Sequence, residues 1–273
     1  MPPSDRDKRR ARRVRLDQLL VDRNLAESRS RAQALIIAGH VRVGTTPVTK
    51  AGELVAEQAD ITVLSPPRFV SRGGEKLDHV LEIFGLDVAG RVCADFGAST
   101  GGFTDCLLQR GATRVYAIDV GYGQLDYRIR QDPRVVVMDR TNVRFVSELP
   151  ERVALVVIDV SFISLALVLP SAIAVSEPTG QVVALIKPQF EAGKGAVGRG
   201  GVVRDLETHR AVLQSMASTA ASLGLRLDGL TASPLRGPAG NAEFLAQWSR
   251  GAPLEADATA ARIAAALATV PGR

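Results

Sequence analysis

Leu16, Leu19 and Leu20 fall on one face of a helix, and Ala32, Leu35 and Ile36 repeat that spacing after Ser28, a residue suited to capping a helix start. Gly39 closes the second helix. Val41 and Val43 then alternate with His40 and Arg42, the period-two pattern of a strand with one wet face, before Gly44 turns the chain. Val48, Leu54 and the run from Ile61 to Leu64 add short strand material. The pattern predicts a small α/β unit over residues 14–64. Ser65-Pro66-Pro67 holds the chain extended, because the residue before a proline is driven out of the helical region, and an interdomain linker is expected over residues 65–72.

Beyond it, Leu77, Val80, Leu81 and Phe84 form a helical stripe, with Lys76 just ahead of it. Short apolar runs then alternate with helical periodicity. Strands are predicted at 92–94, 115–118, 135–138, 154–158 and 181–186, and helices at 102–110, near 123–130, at 165–175 and at 207–223. Residues 225–230 and 242–248 predict two last strands, as a hairpin or an antiparallel edge, and 255–268 an alanine-rich helix. The uninterrupted Ala154-Leu-Val-Val-Ile158 is what a strand covered on both faces requires. The fold class expected is α/β, with a Rossmann-like sheet of seven strands over residues 73–273.

Ligands in such sheets bind beyond the C-terminal ends of the strands. The first of these ends carries Asp95-Phe-Gly-Ala-Ser-Thr-Gly-Gly-Phe103. Small residues there let the backbone turn sharply and approach a ligand, so Asp95, Gly97, Ala98, Ser99, Thr100, Gly101, Gly102 and Phe103 are expected around a cofactor. The second strand ends in Asp119, followed by Val120; a carboxylate at this place suits the two hydroxyls of a ribose. Asp139 and Asn142 follow the third strand, where an adenine edge would lie. A dinucleotide enzyme usually shows GxGxxG and seats a pyrophosphate on this loop, and Asp119 would serve NAD equally. An acid at the head of the loop repels a pyrophosphate and attracts an ammonium, so the residues favour S-adenosylmethionine.

Asp159 ends the fourth strand, in Asp159-Val-Ser-Phe162, and Lys187 ends the fifth. Amino-group methyltransferases carry two prolines after the acid at this position, and here they are missing. Carbon-5 cytosine chemistry needs a presented cysteine, whereas Cys93 falls inside a strand and Cys106 inside a helix, as packing residues do. A lysine buried at the end of an apolar run requires a partner, and Asp159 is a natural one. A structural ion pair accounts for those two residues alone as well as catalysis does. Lys76 is a third candidate, since a cation at a helix opening gains nothing from the helix dipole. Methylating a ribose 2′-hydroxyl needs a group that takes its proton or stabilises the alkoxide, and a lysine does either. His40, His79 and His209 are too scattered to suggest a metal, and none is expected.

Charge separates one region from the rest. Lys and Arg number 34 against 29 Asp and Glu, and residues 1–15 hold seven basic and two acidic side chains, a net of +5 that equals the excess of the whole chain. Residues 1–13 are expected to form a disordered basic arm. With Arg12, Arg13, Arg15, Arg23, Arg29, Arg31, Arg42 and Lys50, the N-terminal region offers a cationic face for a polyanion, with strongly salt-dependent binding. Arg68, Phe69 and Arg72 are further RNA-contact candidates that would relay binding between the domains, and substitution of Phe69 is expected to spare the fold. No apolar stretch reaches transmembrane length, so a cytoplasmic protein with no membrane partner is expected, a monomer by default.

Arg15-Leu-Asp-Gln-Leu-Leu20 with Ser28-Arg-Ser-Arg-Ala-Gln-Ala-Leu-Ile36 resembles the S4 RNA-binding domain. Phe69-Val-Ser-Arg-Gly-Gly-Glu-Lys76, Asp95–Phe103, Asp119-Val-Gly-Tyr-Gly-Gln-Leu125, Asp159-Val-Ser-Phe-Ile-Ser-Leu165, Lys187-Pro-Gln-Phe-Glu-Ala-Gly-Lys194 and Gly240-Asn-Ala-Glu-Phe244 resemble the hemolysin A-like (TlyA) ribosomal RNA methyltransferases, over residues 12–248. The resemblance implies a class I S-adenosylmethionine-dependent fold and 2′-O-methylation of cytidine in ribosomal RNA within 30S and 50S subunits. By family, the Lys-Asp-Lys-Glu tetrad falls on Lys76, Asp159, Lys187 and Glu243; Glu243 is identified by the resemblance alone. Phe162 is expected to position the target nucleotide, with a core aromatic as the alternative. Longer members of the family modify both subunits, and the basic N-terminal extension and the helix at 255–268 resemble that type, with targets in helix 44 of 16S and helix 69 of 23S rRNA. Competing readings are another RNA substrate such as transfer RNA and a non-catalytic assembly factor.

Overall fold

A computed structural model describes residues 12–64, 67–193, 198 and 200–270, and divides into two compact units with the boundary between Pro67 and Arg68. The expectations placed on residues 1–11 lie outside the described residues.

In the first unit, β1 (Arg13–Arg15) leads directly into α1 (Leu16–Asp22), and Ser28 caps α2 (Arg29–Ile37) by accepting from Arg31 N. Next come β2 (Val41–Val43), β3 (Thr46–Val48), β4 (Leu54–Ala56) and β5 (Ile61–Val63). β1 pairs with β4, and β2 lies between β3 and β5, all antiparallel. The predicted helical stripes are buried: Leu16, Leu20, Ala32 and Ile36 are fully enclosed with Val41 in a small core. Arg13, expected at the end of a disordered arm, instead opens β1, paired to Ala56. Its alternation with Val14 and Arg15 was hidden in a run of basic residues.

The second unit opens earlier than expected. Arg68 to Ser71 belong to it, and α3 (Arg72–Ile83) takes in Gly73 and Gly74. Phe69 is 3% exposed in the core around Leu77 and Leu81, and a Cβ on Gly74 would sit 2.3 Å from its Cγ. Phe69 is therefore a packing residue covered by a helical glycine. It neither faces RNA nor tolerates truncation without loss of core.

The sheet is built from β6 (Val92–Phe96), β7 (Arg114–Ile118), β8 (Val135–Met138), β9 (Val153–Ile158), β10 (Ser176–Ile186), β11 (Leu225–Ala232) and β12 (Phe244–Arg250), in the order β11-β12-β10-β9-β6-β7-β8. All neighbours are parallel except those of β12, which runs against β10 and β11. This is the seven-stranded, doubly wound sheet of class I methyltransferases. Interleaved are α4 (Gly102–Gln109), α5 (Tyr127–Arg130), α6 (Leu169–Val175), α7 (Pro188–Glu191), α8 (Leu206–Ser222) and α9 (Ala256–Ala268). The helix expected near 123–130 is the single turn α5, because Gly123 is left-handed at φ +68° and Asp126 caps the turn. Alternate strand residues feed two cores. Ala94, Phe96, Val156, Ile158 and Trp248 pack with Val212 and Met216 of α8 and Ile263 of α9 on one face; Cys93, Leu155, Val157 and Leu185 pack with Leu77 and Leu107 on the other. Both cysteines are buried, and burial pushes their thiols up to about 12, in keeping with packing rather than reactivity.

Candidate active site

β6 runs two residues further than its apolar pattern, because pairing to β7 and β9 continues through Phe96. Asp95 is consequently an in-strand residue. It shares the face of Cys93, turned toward α4, and is fully buried. Its Oδ2 accepts from Thr104 N at 2.9 Å and Thr104 Oγ1 at 2.7 Å, while Oδ1 has no partner. α4 starts on Gly101, which has no side chain to cap it, so the strand carboxylate does the capping. Burial raises the Asp95 carboxyl to about 7, against the Thr104 hydrogen bonds that favour the anion. It lines neither cleft described below.

Past Phe96 the loop closes tightly. Gly97 has φ +88°, and a Cβ there would lie 2.6 Å from the Asp159 carbonyl oxygen, so only glycine lets the loops after β6 and β9 touch. Gly102 allows a second close approach, since a Cβ would meet Ser71 Oγ at 2.1 Å and Gly74 N at 3.0 Å. The start of α4 is thereby packed against the start of α3, which brings Lys76 to the loop.

A cleft of about 780 Å³ lies on one side of this loop, lined by Gly97, Ser99, Asp119, Val120 and Asn142. Asp119 Oδ2 accepts from Ser99 N at 2.9 Å and Oδ1 from Gly121 N at 2.7 Å, which fixes the carboxylate at the end of β7. Ser99 is itself left-handed at φ +48°, a strained backbone held at the cleft wall. Asn142 caps a 3₁₀ turn through Arg144 N. The tight Gly97 turn, the fixed Asp119 carboxylate, Asn142 and the apolar Val120 and Val143 fit a nucleoside such as that of S-adenosylmethionine. Asp139 stands apart: Arg130 holds its carboxylate at 2.6 Å and keeps it below the usual carboxylate range, so it serves β8 and α5 rather than the cleft.

A smaller cleft of about 300 Å³ shares Gly97, Ser99, Asp159 and Ser161 with the first, and Ala98, Thr100, Gly102 and Phe103 line it too. Lys76, Asp159, Lys187 and Glu243 all open onto it. Lys187 Nζ lies 2.5 Å from Asp159 Oδ1, and Lys76 Nζ 2.5 Å from Glu243 Oε2. Lys76, Lys187 and Glu243 are 8%, 9% and 2% exposed. The topology gathers them: Asp159 and Lys187 directly follow β9 and β10, and the reversed β12 begins just after Glu243, with Phe244 in register with Ile186. Two opposed ion pairs at a cleft floor are costly to desolvate, and apolar side chains would serve stability as well. The four residues are therefore the candidate reactive centre of this unit.

The loop after β9 is held from the loop after β10. Glu191 accepts from Ser164 Oγ at 2.6 Å and Leu165 N at 2.8 Å, a tie between two segments that no local pattern of the chain signals. This presents Phe162, left-handed at φ +64° and 90% exposed, with its ring 4.9 Å from that of Phe190. Phe162 is thus a surface aromatic, and the core alternative fails. Two further exposed rings carry guanidinium groups: Arg140 lies 4.4 Å over Tyr122, and Arg144 5.4 Å over Phe145.

The family model for FtsJ-like methyltransferases matches residues 69–250, and that for the S4 domain matches residues 14–61. The chain belongs to the FtsJ-like methyltransferases, within the TlyA family. It is 50% identical over 246 residues to the 16S/23S rRNA (cytidine-2′-O)-methyltransferase TlyA of Mycobacterium tuberculosis, covering 88% of this chain and 91% of that one. The 23S rRNA (cytidine-2′-O)-methyltransferase TlyA of Campylobacter jejuni is 35% identical over 64% of this chain and 69% of its own. A solved hemolysin-type structure from Streptococcus thermophilus superposes with a TM-score of 0.71 at 38% identity, covering 93% of this chain and 95% of that one.

In the S4 unit of this TlyA-family chain, the cationic candidates divide into two groups. Asp17 is fully buried and gathers three side-chain donors, Arg15 at 2.8 Å, Arg29 at 3.1 Å and the Gln33 amide at 2.8 Å, besides the Gln18 N–H at 2.9 Å. The Arg15 guanidinium holds the Asp17 carboxyl far below the usual range, and the outer faces of both arginines stay in solvent. Arg31, Arg42 and Lys50 are exposed and have no side-chain partner among the described residues. Arg12 pairs loosely with Glu57 at 3.6 Å, and Arg13 donates to the Leu54 carbonyl at 2.7 Å. Arg23 is a correction to the candidates. It donates to the carbonyls of Ala59 and Glu57, tying α1 to the connection after β4, and its guanidinium is spent on the fold. In the second unit Arg68 pairs with Asp78 and stacks on Phe69, whereas Arg72 is exposed at the rim of the tetrad cleft. Among the described residues no helix is long and apolar enough to cross a membrane.

Proposed function

We propose that the chain transfers a methyl group from S-adenosylmethionine to the ribose 2′-hydroxyl of cytidine in ribosomal RNA, acting in the cytoplasm on 30S and 50S subunits at helix 44 of 16S and helix 69 of 23S rRNA. The observation that carries the reading is the convergence of Lys76, Asp159, Lys187 and Glu243 on one cleft that adjoins the cofactor-sized one. The choice of both subunits draws support from the 16S/23S relative, which is more similar to this chain, over more of its length, than the 23S one.

The cofactor, when bound, supplies an electrophilic sulfonium methyl. Asp119 would hold the ribose hydroxyls, and the Gly97 turn leaves room for the backbone to follow the ligand. Asn142 stands at the adenine end. Lys187 faces the attacking oxygen: its nitrogen takes the hydroxyl proton as an amine or, as an ammonium, stabilises charge growing on oxygen. Asp159 attracts that nitrogen, and the Lys76–Glu243 pair completes the tetrad beside it. Phe162 offers a ring on which the target nucleotide rests. Arg15, Arg29, Arg31, Arg42, Lys50 and Arg72 would meet phosphates, whose contacts are numerous and individually modest.

The test is transfer of labelled methyl to separated 30S and 50S subunits and naked rRNA lacking the modification, with Lys187→Ala alongside and the product nucleoside identified. Label in 2′-O-methylcytidine from both subunits, lost in the variant, is expected. Label in 50S alone would remove the dual specificity. Cofactor binding without transfer to any substrate would favour a non-catalytic assembly factor.

A further inference from the structure

Asp159 Oδ1 is close to Lys187 Nζ but has no hydrogen-bond alignment with it; the aligned acceptor is Ser161 Oγ, at 3.0 Å. Among the described residues no third acceptor reaches this nitrogen. A tetrahedral amine or ammonium bonded to its own Cε has three remaining directions. Ser161 accepts along one of them, while Asp159, two residues away on the same loop, attracts the charge without lying on an N–H direction. Substrate has an open direction to approach, and it meets there a lone pair or N–H of the amine or an N–H of the ammonium. The Phe190 ring, 6.0 Å from Nζ, borders the site without offering a polar partner.

We propose that Ser161 is the positioning residue of Lys187, its hydroxyl setting the direction in which the lysine nitrogen meets the ribose 2′-oxygen. This rests on the reading of Lys187 as the group beside that oxygen. Asp159 attracts the charge wherever it swings on its flexible stem, because an ion pair is only weakly directional. A hydroxyl accepting at normal length adds the orientation that an in-line transfer requires. Ser161 is placed for this: it lines both clefts, at the boundary between the cofactor and the tetrad. It is also exposed, so its truncation removes a hydrogen bond without opening a cavity in the core. The bland alternative is a solvated loop serine with an incidental contact.

Ser161→Ala and Ser161→Thr are to be assayed in the full chain beside Lys187→Ala, measuring kcat and KM on unmodified subunits, cofactor affinity by calorimetry, and thermal unfolding. For Ser161→Ala the expected result is a fall in kcat of roughly 10- to 100-fold, the range set by one hydrogen bond to a charged group. KM, cofactor affinity and melting temperature stay at wild-type values, and Ser161→Thr, which keeps the hydroxyl, restores kcat. A structural role would instead move melting temperature or cofactor affinity. With Lys187→Ala inactive, a wild-type kcat in Ser161→Ala, or equal loss in the alanine and threonine variants, overturns the inference and leaves the lysine reading standing. Activity retained in Lys187→Ala overturns both.

Discussion

Lys76 Nζ and Glu243 Oε2 lie 2.5 Å apart across a separation of 167 residues, and the glutamate is nearly sealed from solvent. The pair joins α3 to the start of the antiparallel strand β12, so the tetrad cleft is complete only when the first and last parts of the methyltransferase unit are docked.

Removing one partner leaves the other as an uncompensated buried charge. Glu243→Ala is expected to destabilise the second unit by about 3–5 kcal/mol. Lys76→Ala combined with Glu243→Ala should cost less than the sum of the singles, since the double variant strands no charge. Urea unfolding of the four proteins gives the cycle. Strict additivity would mean that the pair is not coupled, and activity should be lost in all three variants.

Asp95 makes the stability of the same unit fall with rising pH. Its carboxyl is at about 7 in the folded chain against an ordinary value of 3.8, so the native state binds the extra proton. The stability that proton contributes is full below about pH 4 and is lost as pH rises through about 7. Asp95→Asn keeps an oxygen for Thr104 and removes the titration. Denaturation midpoints at pH 5 and 8 should therefore differ less in the variant than in the wild type; an identical pH dependence would exclude Asp95 as its source.

In the S4 unit the sign is reversed. The Asp17 carboxyl is depressed by Arg15, so its contribution is present above the ordinary carboxylate value of 3.8 and is lost as pH falls below that value. Asp17→Asn should remove this acid-sensitive stability and, by releasing Arg15 and Arg29 from the directions the carboxylate fixes, weaken RNA binding evenly across sequences. Filter binding at several salt concentrations measures both affinity and the number of phosphate contacts.

Phe162 is exposed, so Phe162→Ala should change stability by no more than about 0.5 kcal/mol. Loss of a stacking ring costs about 1–3 kcal/mol per base, so turnover on rRNA at limiting substrate should drop roughly tenfold, and Phe162→Tyr should retain it. Unchanged turnover in the alanine variant would remove the ring from nucleotide recognition.

Much of this molecule is local and therefore readable from the chain alone. Apolar spacing marks the helix faces of Leu16–Leu20 and Leu77–Leu81, and the run Ala154–Ile158 marks a strand covered on both sides, because burial follows directly from which side chains repeat. Gly97 and Asp119 were legible for a similar reason: a turn that needs a left-handed residue, and an acid at a strand end, are properties of a few neighbours in sequence. Lys187 and Asp159 could be paired from the expectation that a buried lysine finds a carboxylate.

The rest depended on which elements became neighbours. Nothing near Glu243 distinguishes it from a surface glutamate; it reaches Lys76 because β12 inserts antiparallel beside β10 and begins where the parallel strands end. Asp95 changed from a cofactor contact to a buried helix cap because β6 is paired on both sides and extends past its apolar core. Phe69 and Arg23 left the candidate RNA surface for the same kind of reason, one covered by Gly74 and the other drawn onto backbone carbonyls. A residue's type and local period determine what it is able to do. Pairing of distant segments decides whether it faces a ligand, a partner charge or the core, and that free energy is not written in any one stretch of the chain.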